Sequence, residues 1–251
     1  MLQNRIIPAL TIEDSALVKT INFKKPRYIG DPLNAVRIFN EKEVDEIMII
    51  DINASKKRKE PDFNLIKNIS GECLMPLTYG GGINTIDQAK KIFALGVEKI
   101  CIQKAAFDNP PFIVELVENF GSQSIVLSVD IKRDLLKRPR IYDYIRKSRL
   151  KCNWLEHIKL FTDLGIGELL INSVDKDGLM RGADYEIISI LRKNTNLPII
   201  SLGGVSSLND MHLLIKGGAS AVAAGSFFTF YGQHKAVLLT YPKYEEIQKL
   251  F

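Results

Sequence analysis

The sequence predicts an α/β protein: a closed barrel of eight β-strands alternating with eight α-helices. Three observations point there. Eight short apolar runs bounded by turn residues recur along 251 residues. Amphipathic stretches with helix-start signals lie between them, and the second half of the chain repeats the order of the first. Regular alternation of strand and helix calls for a parallel sheet with right-handed crossovers. Eight such units in about 250 residues is the size of a (β/α)8, or TIM, barrel. An open doubly wound sheet is the alternative. The chain reads as a single domain over 1–251, with half-barrels at about 1–122 and 123–251.

The strands are expected at Arg5–Leu10, Glu46–Asp51, Met75–Thr78, Lys99–Ile102, Ser124–Asp130, Glu168–Asn172, Leu197–Ser201 and Ala221–Ala224. Strands buried on both faces read as continuous runs of this kind. Helix starts follow several of them. Thr85-Ile86-Asp87-Gln88 opens an amphipathic run that Gly96 stops. Asn153-Trp154-Leu155-Glu156 and Ser206-Ser207-Leu208-Asn209-Asp210 each place a capping residue ahead of an apolar-periodic stretch. YPKYEEIQKLF is expected to close the barrel as its last helix. The repeat has an offset of 122: Glu46 falls on Glu168, Gly81-Gly82 on Gly203-Gly204, and Gln103 on Gly225.

Composition excludes several classes. With 46% hydrophobic and 25% charged residues, the chain can bury a core and is not a disordered tail. No apolar run reaches the roughly 18–20 residues of a membrane span. With the first strand expected at Arg5, no signal peptide is expected. Cys73, Cys101 and Cys152 are odd in number and far apart, and the three histidines have no ligand spacing. The expectation is a reduced, cytoplasmic protein with no metal and no cofactor. Trp154 and Cys101 are expected in the core, and His157 and His212 in exposed or capping roles.

Positive charge is concentrated. Between Lys132 and Lys151 there are nine Lys/Arg against two Asp, and Lys24-Lys25-Pro26-Arg27 and Lys56-Lys57-Arg58-Lys59 form two further clusters. In a barrel these segments follow strands five, one and two, on the C-terminal face where barrel enzymes place their sites. That favours an anionic small molecule over nucleic acid or a membrane. Gly80-Gly81-Gly82, Gly203-Gly204 and Gly225-Ser226 follow strands three, seven and eight. Glycines let backbone N–H groups approach an anion closely. Two symmetry-related pairs across one mouth suggest a substrate with two phosphates.

RIIPAL, Lys19, Asn22-Phe23, Gly30-Asp31-Pro32, IDINAS, PLTYGGGI, FGSQSIVLSVDIKR, ELLINSVDKDG and the closing GG…AAGSFF pattern, in order over nearly the whole chain, resemble the cyclase subunit of imidazole glycerol phosphate synthase. The resemblance implies a heterodimer with a glutaminase partner, whose ammonia passes through the barrel. At the far mouth, ammonia would meet a bisphosphorylated ribulosyl nucleotide. It also implies an entrance ring of Arg5, Glu46, Lys99 and Glu168, with Glu98 facing the glutaminase. Asp130 and Lys19 would serve the chemistry. One phosphate would be held at Gly81, Gly82, Gln103 and Lys104, the other at Asp177, Gly178, Gly203, Gly204, Gly225 and Ser226.

The match departs from the family at the mouth. The second catalytic aspartate is expected at Thr11, and a hydroxyl cannot replace a carboxylate in proton shuttling. Gln103-Lys104 stands for Asn-Thr, Leu202 for a serine, and the loop after strand five lacks its Thr-Gly. Glu13 shares Thr11's face if strand one continues and is the candidate substitute. The main expectation is a paralogue that still receives ammonia but hands it to another acceptor, such as an acetamido sugar of a surface polysaccharide. The alternatives are an authentic histidine-pathway cyclase and a non-catalytic scaffold that activates the glutaminase.

Overall fold

The computed structural model describes residues 4–249. Eight parallel strands form the barrel: β1 (Arg5–Glu13), β2 (Ile47–Asp51), β3 (Leu77–Gly80), β4 (Lys99–Ile102), β5 (Ile125–Arg133), β6 (Glu168–Ser173), β7 (Ile199–Leu202) and β8 (Ala221–Ala224). Each pairs with the next, and β8 pairs back onto β1, so the sheet has no open edge. The doubly wound alternative is thereby excluded. The principal outer helices are α1 (Pro32–Glu41), α2 (Phe63–Glu72), α3 (Ile86–Ala94), α4 (Pro111–Phe120), α5 (Trp154–Asp163), α6 (Tyr185–Arg192), α7 (Leu208–Lys216) and α8 (Tyr244–Gln248). The expected closing helix extends to Leu250 and Phe251, which lie outside the described residues.

β2 and β5 start one residue later than the sequence suggested, at Ile47 and Ile125, and two strands start two residues later. β3 begins at Leu77 and β7 at Ile199 because Pro76 and Pro198 have no N–H for the ladder. Their carbonyls are still used: Ile47 N donates to Pro76 O at 2.9 Å and Leu169 N to Pro198 O at 3.0 Å. Both partners sit at the offset of 122. So do the capping boxes that start α3 (Thr85 with Gln88) and α7 (Ser207 with Asp210). The same spacing fixes two glycines. A Cβ on Gly81 (φ +124°) would lie 2.6 Å from Asp51 O, and one on Gly203 (φ +103°) would lie 2.8 Å from Ser173 O.

Two apolar layers follow from alternation along the strands. Residues facing outward, such as Ile6, Ile49, Ile100, Leu127 and Ile171, pack beneath the helices. Trp154 and Phe161 of α5 are buried in that layer. Residues facing inward, among them Ile7, Met48, Cys101, Val126, Leu170 and Ile200, fill the barrel centre. His157 corrects an expectation: it does not cap α5, and it is half-buried. Its ring packs edge-on between Phe107 (4.8 Å) and Phe161 (5.1 Å), and burial lowers its pKa.

Two segments that read as loops are ordered hairpins at the C-terminal end. After β1, Ala16–Ile21 and Lys24–Gly30 pair antiparallel. After β5, Pro139–Asp143 folds back on Ile131–Arg133. Part of this hairpin's basic charge is paired, Arg140 with Asp134 and Arg146 with Asp143 inside the hairpin, and Arg133 with Asp184 at the start of α6.

Candidate active site at the barrel mouth

The inward-facing positions are polar at both ends and apolar between. At the N-terminal end four charges close a ring. Arg5 pairs with Glu46 at 2.5 Å and with Glu168, while Lys99 Nζ lies 3.1 Å from both carboxylates. Thr78 Oγ1 adds a hydrogen bond to Glu46 at 2.8 Å. Burial opposes the Arg5 charge, yet Glu168 and Glu46 outweigh it and raise its pKa. Glu98 stands at this end, exposed, its carboxylate accepting from Leu77 N at 2.6 Å.

Two residues on along each strand the lining becomes apolar, and two or four further on it is polar again. Arg5–Ile7–Ala9–Thr11, Lys99–Cys101–Gln103 and Glu168–Leu170–Asn172 each run this course. Burial pushes the Cys101 thiol up to about 12, so it is an inert part of the apolar stretch.

At the C-terminal end lies a cavity of about 520 Å³. Every mouth residue singled out in the sequence lines it: Thr11, Lys19, Gly81, Gly82, Gln103, Lys104, Asp130, Asp177, Gly178, Gly203, Gly204, Gly225 and Ser226. Lys24, Lys25, Lys56 and Lys147 bring positive charge to the same rim.

Asp130 is buried near the centre. Gln103 Nε2 donates to its Oδ2 at 2.8 Å and Asn172 Nδ2 to its Oδ1 at 3.2 Å. Burial nevertheless pushes the carboxyl up to about 7. Its proton is therefore exchangeable near neutrality, the condition for a general acid or base. Lys19 is also buried; burial pulls its pKa down to about 8 against the attraction of Asp177, and its Nζ donates to Ala9 O at 2.6 Å.

The remaining mouth residues divide by what holds them. The Thr11 hydroxyl donates to Val18 O, across the β1 hairpin, and so is tied to the backbone. Glu13 closes β1 on the same inward course, lines the cavity and accepts from Asn53 Nδ2. Asp14 turns away to pair with Lys57 at 2.6 Å. Asp177 anchors the hairpin through Thr20 Oγ1 (3.2 Å) and Phe23 N (3.4 Å), and burial raises its pKa. Lys104 pairs with Asp108.

Sequence reading missed three cavity residues. Tyr144, on the strand-five hairpin, reaches over the mouth to donate to Ile52 O at 3.1 Å, and its ring meets Phe23 edge-on at 6.3 Å. Tyr142 carries Lys132 Nζ 4.7 Å over its face. Asn172 was visible as an inward polar position in ELLINS, but its pairing with Asp130 across 42 residues was not.

The pattern that defines the family described as "Histidine biosynthesis protein" matches residues 5–235. Among similar proteins, one from Leptospira borgpetersenii named "Putative imidazole glycerol phosphate synthase subunit HisF" is 47% identical over 255 residues, covering all of both chains. "Putative imidazole glycerol phosphate synthase subunit hisF2" of Pseudomonas aeruginosa is 44% identical over 96% of this chain and 97% of its own. "Imidazole glycerol phosphate synthase subunit HisF" of Chlorobium phaeovibrioides is 36% identical over 92% of both. With its closed barrel and polar-lined mouth, the chain belongs to the histidine biosynthesis protein family, as a divergent relative of the HisF cyclase subunit.

Proposed function

We propose that this chain is the barrel subunit of a glutamine-dependent complex. A glutaminase partner would dock on the N-terminal face, at Glu98 and the charged ring. Ammonia would enter between Arg5, Glu46, Lys99 and Glu168 and leave at the C-terminal mouth. The apolar stretch between ring and mouth suits the neutral molecule, because carrying ammonium through it would mean desolvating a charge. The names of the similar proteins, as subunits of imidazole glycerol phosphate synthase, support this reading.

We further propose that the acceptor of ammonia differs from the ribulosyl nucleotide of that synthase. The observation that carries this is Thr11. Where the family has its second catalytic carboxylate, this chain has a hydroxyl already committed to Val18 O. Asp130 remains as a buried carboxylate whose pKa burial pushes up to about 7. Losing one member of an acid/base pair lowers a rate by about 10²–10⁴-fold. A phosphorylated, anionic acceptor suits the lysines of the rim and the glycine-lined mouth. An acetamido sugar converted to an acetamidino sugar with a separate amidotransferase is the acceptor class we favour.

The second reading is the authentic histidine-pathway cyclase, with Glu13 as the substitute carboxylate. It is favoured by Glu13 lining the same cavity. Supplying ammonium salt with the ribulosyl nucleotide separates the two. Turnover that Glu13→Gln abolishes supports the second reading, and its absence the first.

A further inference from the structure

Exposed apolar side chains are unevenly placed on this barrel. Among the described residues eleven large hydrophobics are exposed, and seven of them lie on or beside three hairpins around the C-terminal mouth. The other four are spread over α5, α7, α8 and the opposite end of the barrel. Leu135 and Leu136 form the tip of the hairpin after β5, 99% and 68% exposed. Ile21 and Tyr28 stand on the hairpin after β1. Tyr231, Val237 and Leu238 belong to a third, in which Phe230–Tyr231 pairs with Ala236–Val237 after β8. Arg27 lies 5.2 Å over the Phe230 ring and joins the first hairpin to the third. Apolar residues scattered singly need no explanation, but a group gathered on one face marks an interaction site.

The exposure at the tip is built in. Asp134 Oδ1 accepts from Leu136 N at 2.9 Å and from Arg138 N at 3.0 Å, and Arg133 Nη1 donates to Lys137 O at 2.9 Å. The turn is braced from within, and both leucines are held outward. Each hairpin also carries cations. The ion pairs of this face are made by residues such as Lys57, Arg133 and Arg140. They leave Lys24, Lys25, Lys137, Arg138 and Lys235 without an ionic partner among the described residues. A second copy of the chain, mouth to mouth, would oppose like charges. An anionic bilayer would lay lipid over the polar cavity of about 520 Å³ and repel an anionic acceptor. A protein with an acidic surface fits both the charge and the concave mouth.

We infer that the three hairpins form a docking face for an acidic-surfaced protein that caps the mouth. Leu135, Leu136 and Tyr231 supply its apolar contacts. The unpaired cations select the partner by charge and speed its encounter. Closed over the mouth, such a cap keeps emerging ammonia from bulk water and presents the acceptor toward Asp130. This role in delivery rests on the proposal that ammonia leaves at this mouth; the docking face itself rests only on the exposed side chains and their charge.

The test expresses the full chain in its own cells with the photo-crosslinker benzoylphenylalanine in place of Leu135 or Tyr231. Replacement of Leu213, exposed on α7, is the control. Illumination should join positions 135 and 231 to one and the same protein, different from this chain, through a segment rich in Asp and Glu. Position 213 should stay unjoined. Binding of that protein, once purified, should weaken at least about tenfold with Leu135→Ser/Leu136→Ser and with Lys137→Glu/Arg138→Glu, at unchanged Tm. Raising the salt from about 0.05 to 0.5 M should weaken it as well. No common cross-link, a cross-link to a second copy, or a captured protein that binds both variants as tightly as the parent would overturn the docking face. So would sedimentation of the chain with phosphatidylglycerol vesicles. Neither ammonia nor glutaminase takes part in this test. A captured protein that uses no ammonia would end the delivery reading and leave the docking face standing, so the two ideas fail separately.

Discussion

Gln103 Nε2 donates to Asp130 Oδ2 at 2.8 Å, and Asn172 Nδ2 donates to its Oδ1 at 3.2 Å. Two amides from the ends of the strands on either side of β5 thus hold both oxygens of one buried carboxylate. Thr11 keeps nothing comparable, since its hydroxyl faces Val18 O. In the function proposed above, one member of the acid/base pair is held by two amides and the other is replaced, and the proposal of a changed acceptor rests on that asymmetry.

Asp130 should leave a mark on stability. Its folded-state pKa is raised to about 7 by burial, above the value near 4 of an unfolded chain. A raised carboxyl favours the fold while protonated, so this contribution is full below about pH 4 and is lost as pH climbs to about 7. Asp130→Asn removes the titration. The Tm of the variant minus that of the parent should therefore grow between pH 5 and 8, by several degrees. A difference that stays flat over that interval contradicts the assignment.

The charged ring predicts a split between two ammonia sources. Arg5→Ala leaves two nearly buried carboxylates sharing Lys99, and should destabilise the protein by about 2–4 kcal/mol. In the complex with glutaminase, glutamine-driven turnover should fall while turnover on added ammonium stays the same. Equal loss with both sources would make the ring purely structural.

Tyr144 predicts a local effect. Its hydrogen bond to Ile52 O and its contact with Phe23 tie the strand-five hairpin across the mouth. Tyr144→Ala should raise the rate of trypsin cleavage within residues 132–151 roughly tenfold, with little change in Tm, because local opening differs from global unfolding. Tyr144→Phe should lie between the two. An unchanged cleavage rate would mean the hairpin holds itself.

Much of the architecture was legible because the signals are local. Apolar runs and capping residues are short-range, and the repeat that relates Glu46 to Glu168 needs only counting. Strand starts at Leu77 and Ile199 were missed because the hydropathy of Met75 and Leu197 outweighed the missing N–H of the prolines between. The two mouth hairpins were missed for a different reason. Lys24–Gly30 and Pro139–Asp143 are largely polar and basic, and they form strands by pairing onto the strand before them, with Ile141 the one residue they bury in the apolar core. His157 was misread because its cage includes Phe107, fifty residues away and outside any helical period.

The central claim, that the mouth no longer serves the ribulosyl nucleotide, is tested most directly by a cyclase assay on the purified chain. Saturating ammonium salt at alkaline pH replaces the glutaminase, so only the mouth is examined. No turnover of the bisphosphorylated ribulosyl nucleotide is expected, and no gain from Thr11→Asp. Turnover by the parent chain that Asp130→Asn abolishes, or turnover that Thr11→Asp restores, would contradict it.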